Sequence, residues 1–388
     1  MMRITSTCAT TLLTVLLLCL TTLDCAAAEE REAAKIDAIF ASLTDAKSPG
    51  IAVLIRKNGR SIFQRGYGVR ELRTLSRIDE RTNFRLASFT KQFTAMITML
   101  LVRDGKLRYD ETLLNLFPDF PVYGQRITIR QLLTHTSGLP DYEDLMDEVE
   151  KRKGPIWTDQ HQIQDAEVLD LLKGQTSGKF APGTNWAYSN SGYVLLGLID
   201  AKVSGKPFDQ VLRERIFEPL HMTETLAYVR GKNVVPNRAY GYEKLGSKFI
   251  EADQSATSAT LGDGGIYSNL LDLAKWDAAL ETHRLLSEDK MGAALTPVKL
   301  SDGSEPHWPE EPGEDNLNPG APVSYGFGWF LDSYKGRARM WHSGTTSGFR
   351  TAIERFRDER LTVIVLCNRE DLDANKLALQ ASDSVSRQ

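Results

Sequence analysis

Two residues one helical turn apart could carry out nucleophilic catalysis. Ser88 is followed by Phe89-Thr90-Lys91 at the start of an apolar segment with helical periodicity. Positions i and i+3 share one face of a helix, so the Lys91 ammonium is expected beside the Ser88 hydroxyl. A serine hydroxyl becomes a strong nucleophile when a neighbour takes its proton, and a lysine can do this once burial or positive surroundings lower its pKa. The spacing makes Ser88 a candidate nucleophile and Lys91 its base, although Ser-x-x-Lys taken alone is common by chance and usually lies on a solvated helix. The motifs that follow favour the catalytic interpretation.

A tyrosine and an asparagine form a second group of candidates. Tyr188-Ser189-Asn190 leads into another apolar helical segment. A tyrosine hydroxyl near a lysine can relay a proton, and an asparagine amide can hold a substrate carbonyl or the lysine itself. Taken alone, the triplet fits a helix start capped by Ser189 or Asn190 equally well. We predict Tyr188 as a catalytic residue and Asn190 as a substrate-binding residue.

The third group is His342-Ser343-Gly344-Thr345, at the end of a predicted strand. A strand at the edge of a cleft can pair with an extended substrate, and a glycine there lets another backbone approach closely. The backbone N–H groups of Ser88 and Thr345 could together form an oxyanion hole. Taken alone, His342 fits an ordinary histidine at a strand end. We predict His342, Gly344 and Thr345 as substrate-binding residues.

Strands at both ends of the chain could support these groups. Residues 33–44 have helical periodicity, and the β-rich runs 51–55 and 61–64 are joined by Asn58-Gly59, a dipeptide typical of a tight type I′ turn. Near the other end we predict strands at 324–330, 338–341, 350–356 and 361–366, the last of them central in its sheet. The two ends are therefore expected to share one antiparallel sheet.

The middle of the chain is predicted to be helical. Apolar residues recur at helical spacing in the segments 89–102, 129–133, 166–172 and 193–203, which are separated by loops with Pro and Gly. The predicted fold class is α+β with two lobes: an antiparallel sheet formed by both chain ends and flanked by helices, with an inserted helical lobe. The candidate residues would meet in the cleft between the lobes.

Composition and charge exclude several classes of protein. With 41% hydrophobic and 25% charged residues the chain can bury a large core, and no linker interrupts residues 29–388, which we predict to be one domain. The net charge of −4 and a single short basic cluster, Lys151-Arg152-Lys153, disfavour a nucleic-acid partner. The six histidines are scattered and no His-Glu-x-x-His occurs, so no metal or cofactor is expected.

Residues 1–28 are predicted to be a signal peptide. Arg3 precedes an apolar run at 10–20, and Cys25 with the alanines at 26–28 provides small residues for cleavage. The run is shorter than the roughly 20 residues of a spanning helix, so no stable membrane span is predicted. The chain is therefore expected to be exported to the periplasm or the medium. Lipidation of Cys25 is the alternative, which Asp24 directly before it disfavours.

Three of the four cysteines lie in this leader, and Cys367 is the fourth. No intramolecular disulfide can form once the leader is removed. Cys367 follows the apolar run 361–366, so we predict it to be a buried residue of a core strand without a catalytic role.

The order Ser-x-x-Lys, Tyr-x-Asn, His-x-Gly resembles the serine β-lactamase superfamily. The resemblance is to the branch that includes class C β-lactamases, low-molecular-weight penicillin-binding proteins, esterases and D-aminopeptidases. Four further segments are similar to the family and occur in the expected order: 127–139, 216–222, 262–268 and 325–329.

The resemblance implies a β-lactamase/transpeptidase-like fold and an acyl-enzyme on Ser88. It gives Lys91 the role of base, Tyr188 that of assisting proton transfer to the leaving group, and Asn190 that of orienting the substrate. His342 stands where many β-lactamases have a lysine, and a histidine is mostly neutral at pH 7. If His342 contributes charge, kcat/KM for anionic substrates should fall as the pH rises through its pKa. In the family, the segment around His135 is structural.

The expected function is that of an exported serine hydrolase acting on a small-molecule or peptidic substrate with an ester or peptide-type amide bond, β-lactams included. The alternative is a penicillin-binding receptor or cell-wall scaffold with little turnover. A nucleophile kept together with its base favours turnover. No pattern in the sequence indicates an oligomeric state.

Overall fold

The computed structural model describes residues 30–311 and 318–385. The predicted signal peptide, residues 1–28, lies outside the described residues. Within the described ranges, no helix has both the length and the apolar character needed to cross a membrane.

The largest sheet has six strands and joins the two ends of the chain. Its order is β10-β11-β12-β13-β1-β2, and each neighbouring pair is antiparallel. The described strands are β1 (Ile51–Lys57), β2 (Arg60–Tyr67), β3 (Val69–Glu71), β4 (Ser76–Arg77), β5 (Phe84–Arg85), β6 (Leu226–Ala227), β7 (Tyr242–Leu245), β8 (Lys248–Glu251), β9 (Ile266–Ser268), β10 (Phe330–Tyr334), β11 (Arg337–Thr346), β12 (Phe349–Phe356) and β13 (Leu361–Cys367). The predicted antiparallel sheet is confirmed, and β13 is central as predicted.

Helices fill the middle of the chain and flank the sheet. The predicted segment 129–133 forms a helix with the same bounds, and the three other predicted segments lie within or overlap helices. The described α-helices are α1 (30–41), α2 (Lys91–Arg103), α3 (Leu113–Leu116), α4 (Ile129–Leu133), α5 (Tyr142–Lys153), α6 (Asp165–Lys173), α7 (Asn190–Ser204), α8 (Phe208–Leu212), α9 (Leu270–Glu281), α10 (Glu288–Met291) and α11 (Ala374–Ser384).

The β1–β2 hairpin turns at the dipeptide from which it was predicted. Asn58 and Gly59 both have positive φ, at 51° and 77°. A type I′ turn requires positive φ at both central positions, and asparagine and glycine adopt it at the lowest cost. The predicted tight turn at Asn58-Gly59 is confirmed.

The central strands are buried on both faces. Along β1, Ala52 and Leu54 join the core that includes the helical lobe, whereas Ile51 and Val53 join a second core with α1 and α11. Alternate residues of a strand point to opposite faces, so the sheet lies between two apolar layers. Cys367 is fully buried in the second core, as predicted for a core residue.

The predicted strand at 324–330 is wrong over most of its length. Only Phe330 belongs to a strand, the first residue of β10. The Gly326 N–H donates to the Trp329 carbonyl at 2.8 Å, and Gly328 has φ of 74°, so the chain makes a turn here. The aromatic residues that suggested a strand are buried from this turn, Tyr325 and Trp329 among them.

Candidate active site

Ser88 lies in a small cavity where the helical lobe meets the sheet. The cavity has a volume of about 80 Å³ and is lined by residues from both lobes, among them Ser88, Asn190, Asp263, Gly264 and Thr345. Ser88 belongs to the 3₁₀ turn Ala87–Thr90, which runs directly into α2. Three of the predicted site residues therefore share one cavity.

Lys91 is the first residue of α2 and is fully buried beside the nucleophile. Its Nζ donates to Ser88 Oγ at 2.9 Å, to Asn190 Oδ1 at 2.8 Å and to the carbonyl oxygen of Asp263 at 3.2 Å. An ammonium has three donors, and each has an acceptor here. The amine is thus held within proton-transfer distance of the serine hydroxyl.

Asn190 is positioned by the start of α7. The Ser189 side chain caps this helix by accepting from the Gly192 N–H at 3.2 Å, and the Asn190 N–H donates to Asp141 Oδ2 at 2.8 Å. The Asn190 side chain is 8% exposed and its amide oxygen is engaged by Lys91. Of the two roles considered for this residue, the geometry favours holding the lysine.

Tyr188 packs against the lysine on one side and a histidine on the other. The Lys91 Nζ lies 4.8 Å from the centre of the Tyr188 ring, and the His135 and Tyr188 ring centres are 4.4 Å apart. His135 Nδ1 accepts from the backbone N–H of Ser189 at 3.1 Å, which fixes the loop before α7. The structure brings Tyr188 together with Lys91, and His135 packs against Tyr188 from the core.

His342 is near these groups, but its side chain is not among those that line the cavity. It is 1% exposed, its Nδ1 lies 2.7 Å from the Ser343 carbonyl and its Nε2 lies 3.1 Å from the Tyr325 hydroxyl. A carbonyl only accepts, so Nδ1 carries the proton and Nε2 accepts from Tyr325. Both ring nitrogens are used within the protein, which leaves neither for the substrate.

The pKa of His342 also excludes the positive charge on this residue that the sequence analysis considered for binding anionic substrates. Burial and the positive charge of Lys91 lower this pKa to about 3, against the hydrogen bond to Ser343. The ring is therefore neutral from pH 5 to 8, and no fall in kcat/KM for anionic substrates from His342 titration is expected in that range.

Because the His342 ring is buried in its uncharged form, the protein should be less stable in acid. The unfolded chain binds a proton near pH 6.5 that the folded chain does not, so the free energy of unfolding should fall as the pH drops from 6.5 towards 3, by about 1.4 kcal/mol per pH unit. The pKa of His135 is lowered in the same direction, by burial first and then by Lys91 and His342. Urea unfolding at pH 7, 6 and 5 should give a smaller slope in His342→Gln than in the wild type. Exposed His161→Gln is the control, and equal slopes in all three proteins would contradict the neutral buried ring.

Gly344 holds the nucleophile turn against the sheet. A Cβ at this position would lie 2.2 Å from the Leu86 carbonyl oxygen, a distance that no side chain tolerates. The same carbonyl accepts from Thr351 Oγ1 at 2.7 Å. Ala87, immediately before the nucleophile, has φ of 50°, a conformation that is strained for alanine and needs such support. The sequence predicted that Gly344 lets another backbone approach closely. In the structure, the backbone that approaches it is that of residues 86 and 87.

The strand that carries Gly344 has an open edge at the site. The pairing of β10 with β11 ends at Phe330 with Trp341, so residues 342–346 have no partner from β10. Thr345 lies in this stretch, is exposed and lines the cavity. The predicted pairing of an extended substrate with this edge remains a prediction, as does the oxyanion role of the Ser88 and Thr345 N–H groups.

Tyr142 and Asp263 are among the cavity residues that were not singled out from the sequence. Tyr142, at the start of α5, donates its hydroxyl to Asp263 Oδ2 at 3.1 Å, and both residues line the cavity. Asp263 lies in the segment 262–268, which was recognised by resemblance without a role for any of its residues.

Comparisons with known proteins agree with this architecture. The sequence profile of the Beta-lactamase family matches residues 36–384. Penicillin-binding protein 4* of Bacillus subtilis (strain 168) is 30% identical over 365 residues, which cover 90% of this chain and 75% of the relative. The structure of the octameric penicillin-binding protein homologue from Pyrococcus abyssi is 26% identical, with a TM-score of 0.70 over 87% of this chain and 73% of its own. D-amino acid amidase from Ochrobactrum anthropi SV3, complexed with L-phenylalanine, is 23% identical, with a TM-score of 0.74 over 91% of this chain and 98% of its own, a likeness of fold alone.

Proposed function

The chain belongs to the beta-lactamase family, and from this premise we propose that it is an exported serine hydrolase that forms an acyl-enzyme on Ser88. The substrate class is a carboxylic ester or a peptide-type amide. One observation carries the proposal: the Lys91 Nζ lies 2.9 Å from Ser88 Oγ, and Ser88 lines a cavity. A hydroxyl and an amine in this arrangement can act as a nucleophile and its base once the amine is neutral, which supports the proposal.

The reaction would proceed in two steps. In the first, Ser88 Oγ attacks the substrate carbonyl carbon while Lys91 in its neutral form takes the hydroxyl proton. The bond to the alcohol or amine then breaks, and the leaving group receives the proton with the help of Tyr188, while the N–H groups of Ser88 and Thr345 stabilise the oxyanion. In the second step, water hydrolyses the acyl ester and regenerates Ser88.

The surroundings of His342 bear on the choice of substrate. A neutral histidine with both nitrogens engaged provides no fixed positive charge for the carboxylate of a β-lactam. This supports neutral esters and amides over β-lactams as substrates. The proposed export rests on the sequence of residues 1–28, and the proposed site of action is the periplasm or the medium.

A second candidate is a penicillin-binding receptor that acylates and turns over slowly. The name of the Bacillus subtilis relative favours it, since that protein is called a penicillin-binding protein. In such a receptor Ser88 would react and the acyl-enzyme would persist.

One experiment separates the two candidates. The mature protein is incubated with a fluorophosphonate probe and, separately, with p-nitrophenyl acetate in excess. We expect labelling of Ser88, read by peptide mass spectrometry, and many turnovers of the ester per molecule. A single burst of p-nitrophenol without further turnover would favour the receptor, and absence of both labelling and turnover would contradict any acylating function.

A further inference from the structure

A second cavity lies at the end of the sheet opposite to the candidate active site. It is lined by residues of α9, by the ends of β1 and β12 and by the start of β13. Its volume is about 290 Å³, near the lower end of the roughly 300–1,000 Å³ of small-molecule sites. On β12, Thr351 contacts the nucleophile turn, whereas Arg355, about 13 Å further along the strand, lines this cavity. The two cavities share no lining residue.

Arginines are the most frequent charged residues of this second cavity, which we call the basic cavity. Its lining includes four arginines and three acidic residues, which are Arg56, Arg355, Arg357, Arg360, Asp277, Glu281 and Asp358. The whole chain has a net charge of −4, so a surplus of positive charge in one cavity runs against the overall composition. Such a surplus favours an anionic ligand.

Two of these arginines are buried and share a single carboxylate. Arg56 and Arg355 are 6% and 8% exposed, and both donate to the Asp277 side chain, Arg355 through Nε at 2.7 Å. Burial alone would raise the pKa of Asp277, but the two arginines lower it below its usual value, so the carboxylate is charged. Two cations against one anion leave one positive charge in excess. Burying an uncompensated charge is costly, and a bound anion would compensate it.

The buried arginines also have donors that the described residues do not use. A guanidinium has five N–H donors. Arg56 donates through Nη1 to Asp277 and through Nη2 to the Gly59 carbonyl at 2.8 Å, and its Nε has no hydrogen-bond partner among the described residues. Unlike the unpaired nitrogens that are sealed from solvent, Arg85 Nε among them, Arg56 Nε keeps accessible surface. A ligand in the cavity can therefore accept from it.

The other two arginines differ in their pairing. Arg360 donates through Nε to Glu281 at 2.7 Å and is thereby neutralised. Arg357, directly after β12, is exposed, and within the described ranges it forms no ion pair. The cavity thus offers an uncompensated buried charge from Arg56 and Arg355, and an unpaired guanidinium from Arg357.

We propose that the basic cavity binds a phosphate group, either as free phosphate or as a small phosphate ester. A carboxylate has two oxygens, which one guanidinium fork can occupy, whereas the oxygens of a phosphate can be shared among several guanidiniums. Arg56 and Arg355 lie side by side on Asp277, and Arg357 lines the same cavity, so phosphate matches this arrangement better than a carboxylate does. The site is separate from Ser88 and does not depend on the proposed hydrolase function.

Isothermal titration calorimetry of the wild-type protein tests this proposal. The probes are inorganic phosphate and glycerol 3-phosphate, with acetate as the carboxylate comparison, and sodium chloride keeps the ionic strength constant because salt screens charges. We expect saturable binding of at least one phosphate probe with a Kd of about 1 mM or tighter, and binding of acetate that is weaker by about tenfold or more. Absence of saturable phosphate binding, or acetate binding of equal strength, would overturn the proposal.

Three variants test which residues bind the phosphate. Arg355→Lys keeps the positive charge beside Asp277 but removes the fork, and should raise the Kd about tenfold. Arg357→Gln removes an exposed charge and should raise the Kd about threefold. Arg126→Gln is the control, because Arg126 is also exposed and lines neither cavity, so its Kd should equal that of the wild type.

Hydrogen–deuterium exchange locates the bound phosphate without any substitution, so the test stands even where Arg355→Lys fails to fold. Saturating phosphate should slow exchange in peptides that cover residues 277–284 and 355–362, and should leave residues 85–91 at the nucleophile turn unchanged. Slower exchange confined to residues 85–91 would contradict the proposed location. An unchanged Kd in both Arg357→Gln and a folded Arg355→Lys would contradict the role of these arginines and overturn the proposal.

Discussion

Ser88→Ala is expected to abolish both fluorophosphonate labelling and ester turnover, lowering kcat/KM by at least about 10³-fold. The reason is chemical, because alanine has no oxygen to form the acyl bond and the remaining groups of the site act together with the nucleophile. The thermal transition should shift little, since Ser88 is only half-buried and, within the part of the chain that the structure describes, its side chain hydrogen-bonds to Lys91. Activity assays and circular dichroism on the same samples measure the two effects separately.

A buried serine far from the cavity provides the control for this substitution. Ser382 on α11 is 1% exposed, and its hydroxyl donates to the Leu379 carbonyl at 2.8 Å. It belongs to the layer on the opposite side of the sheet from the helical lobe. Ser382→Ala should keep its activity, and ester hydrolysis that survives in Ser88→Ala would end the assignment of the nucleophile.

Lys91→Met is expected to lower kcat by about 10²- to 10⁴-fold, the range for a proton-transfer group. Methionine has an unbranched apolar chain of similar length, so it can occupy the buried position without an unpaired charge. Asn190 Oδ1 and the Asp263 carbonyl would each lose a donor, so a modest loss of stability is expected alongside the loss of rate.

The matched lysine variant is Lys202→Met. Lys202 Nζ donates to the Leu116 carbonyl and lies 5.0 Å from the Phe117 ring centre, and it is not among the residues that line the cavity. Like Lys91→Met, this substitution removes one lysine and its hydrogen bond to a backbone carbonyl. The kcat of Lys202→Met should nevertheless equal that of the wild type. If the two lysine variants had the same kcat, Lys91 would not be the base.

Much of the site could be predicted because its candidate catalytic residues belong to short sequence motifs. Ser88 and Lys91 are one helical turn apart, so their contact follows from local geometry alone. The resemblance to the beta-lactamase family, drawn from the order of three motifs, is confirmed. It also brought Tyr188 and Asn190, about a hundred positions later in the chain, into consideration at the same centre, where the structure places them beside Lys91.

The features that could not be predicted depend on how deeply a side chain is buried and on packing between segments that are distant in the sequence. The motif around His342 does not reveal that the ring is buried with both nitrogens engaged, because that depends on Tyr325 from a different segment. The aromatic residues at 325–329 have the composition of a strand, and the two glycines among them instead permit a turn that buries the rings. Asp263 gave no motif signal, since its place in the cavity depends on packing against Tyr142, 121 positions earlier in the chain.

The strained turn at Ala87 has a consequence for how this sequence can diverge. The Leu86 carbonyl is held by Thr351, 265 positions away, and Gly344 leaves no room between the same carbonyl and the sheet. Substitutions that move the sheet at 344 or 351 are therefore expected to displace the serine as well. Lineages that drift here should therefore change in pairs, on the turn and on the strands together.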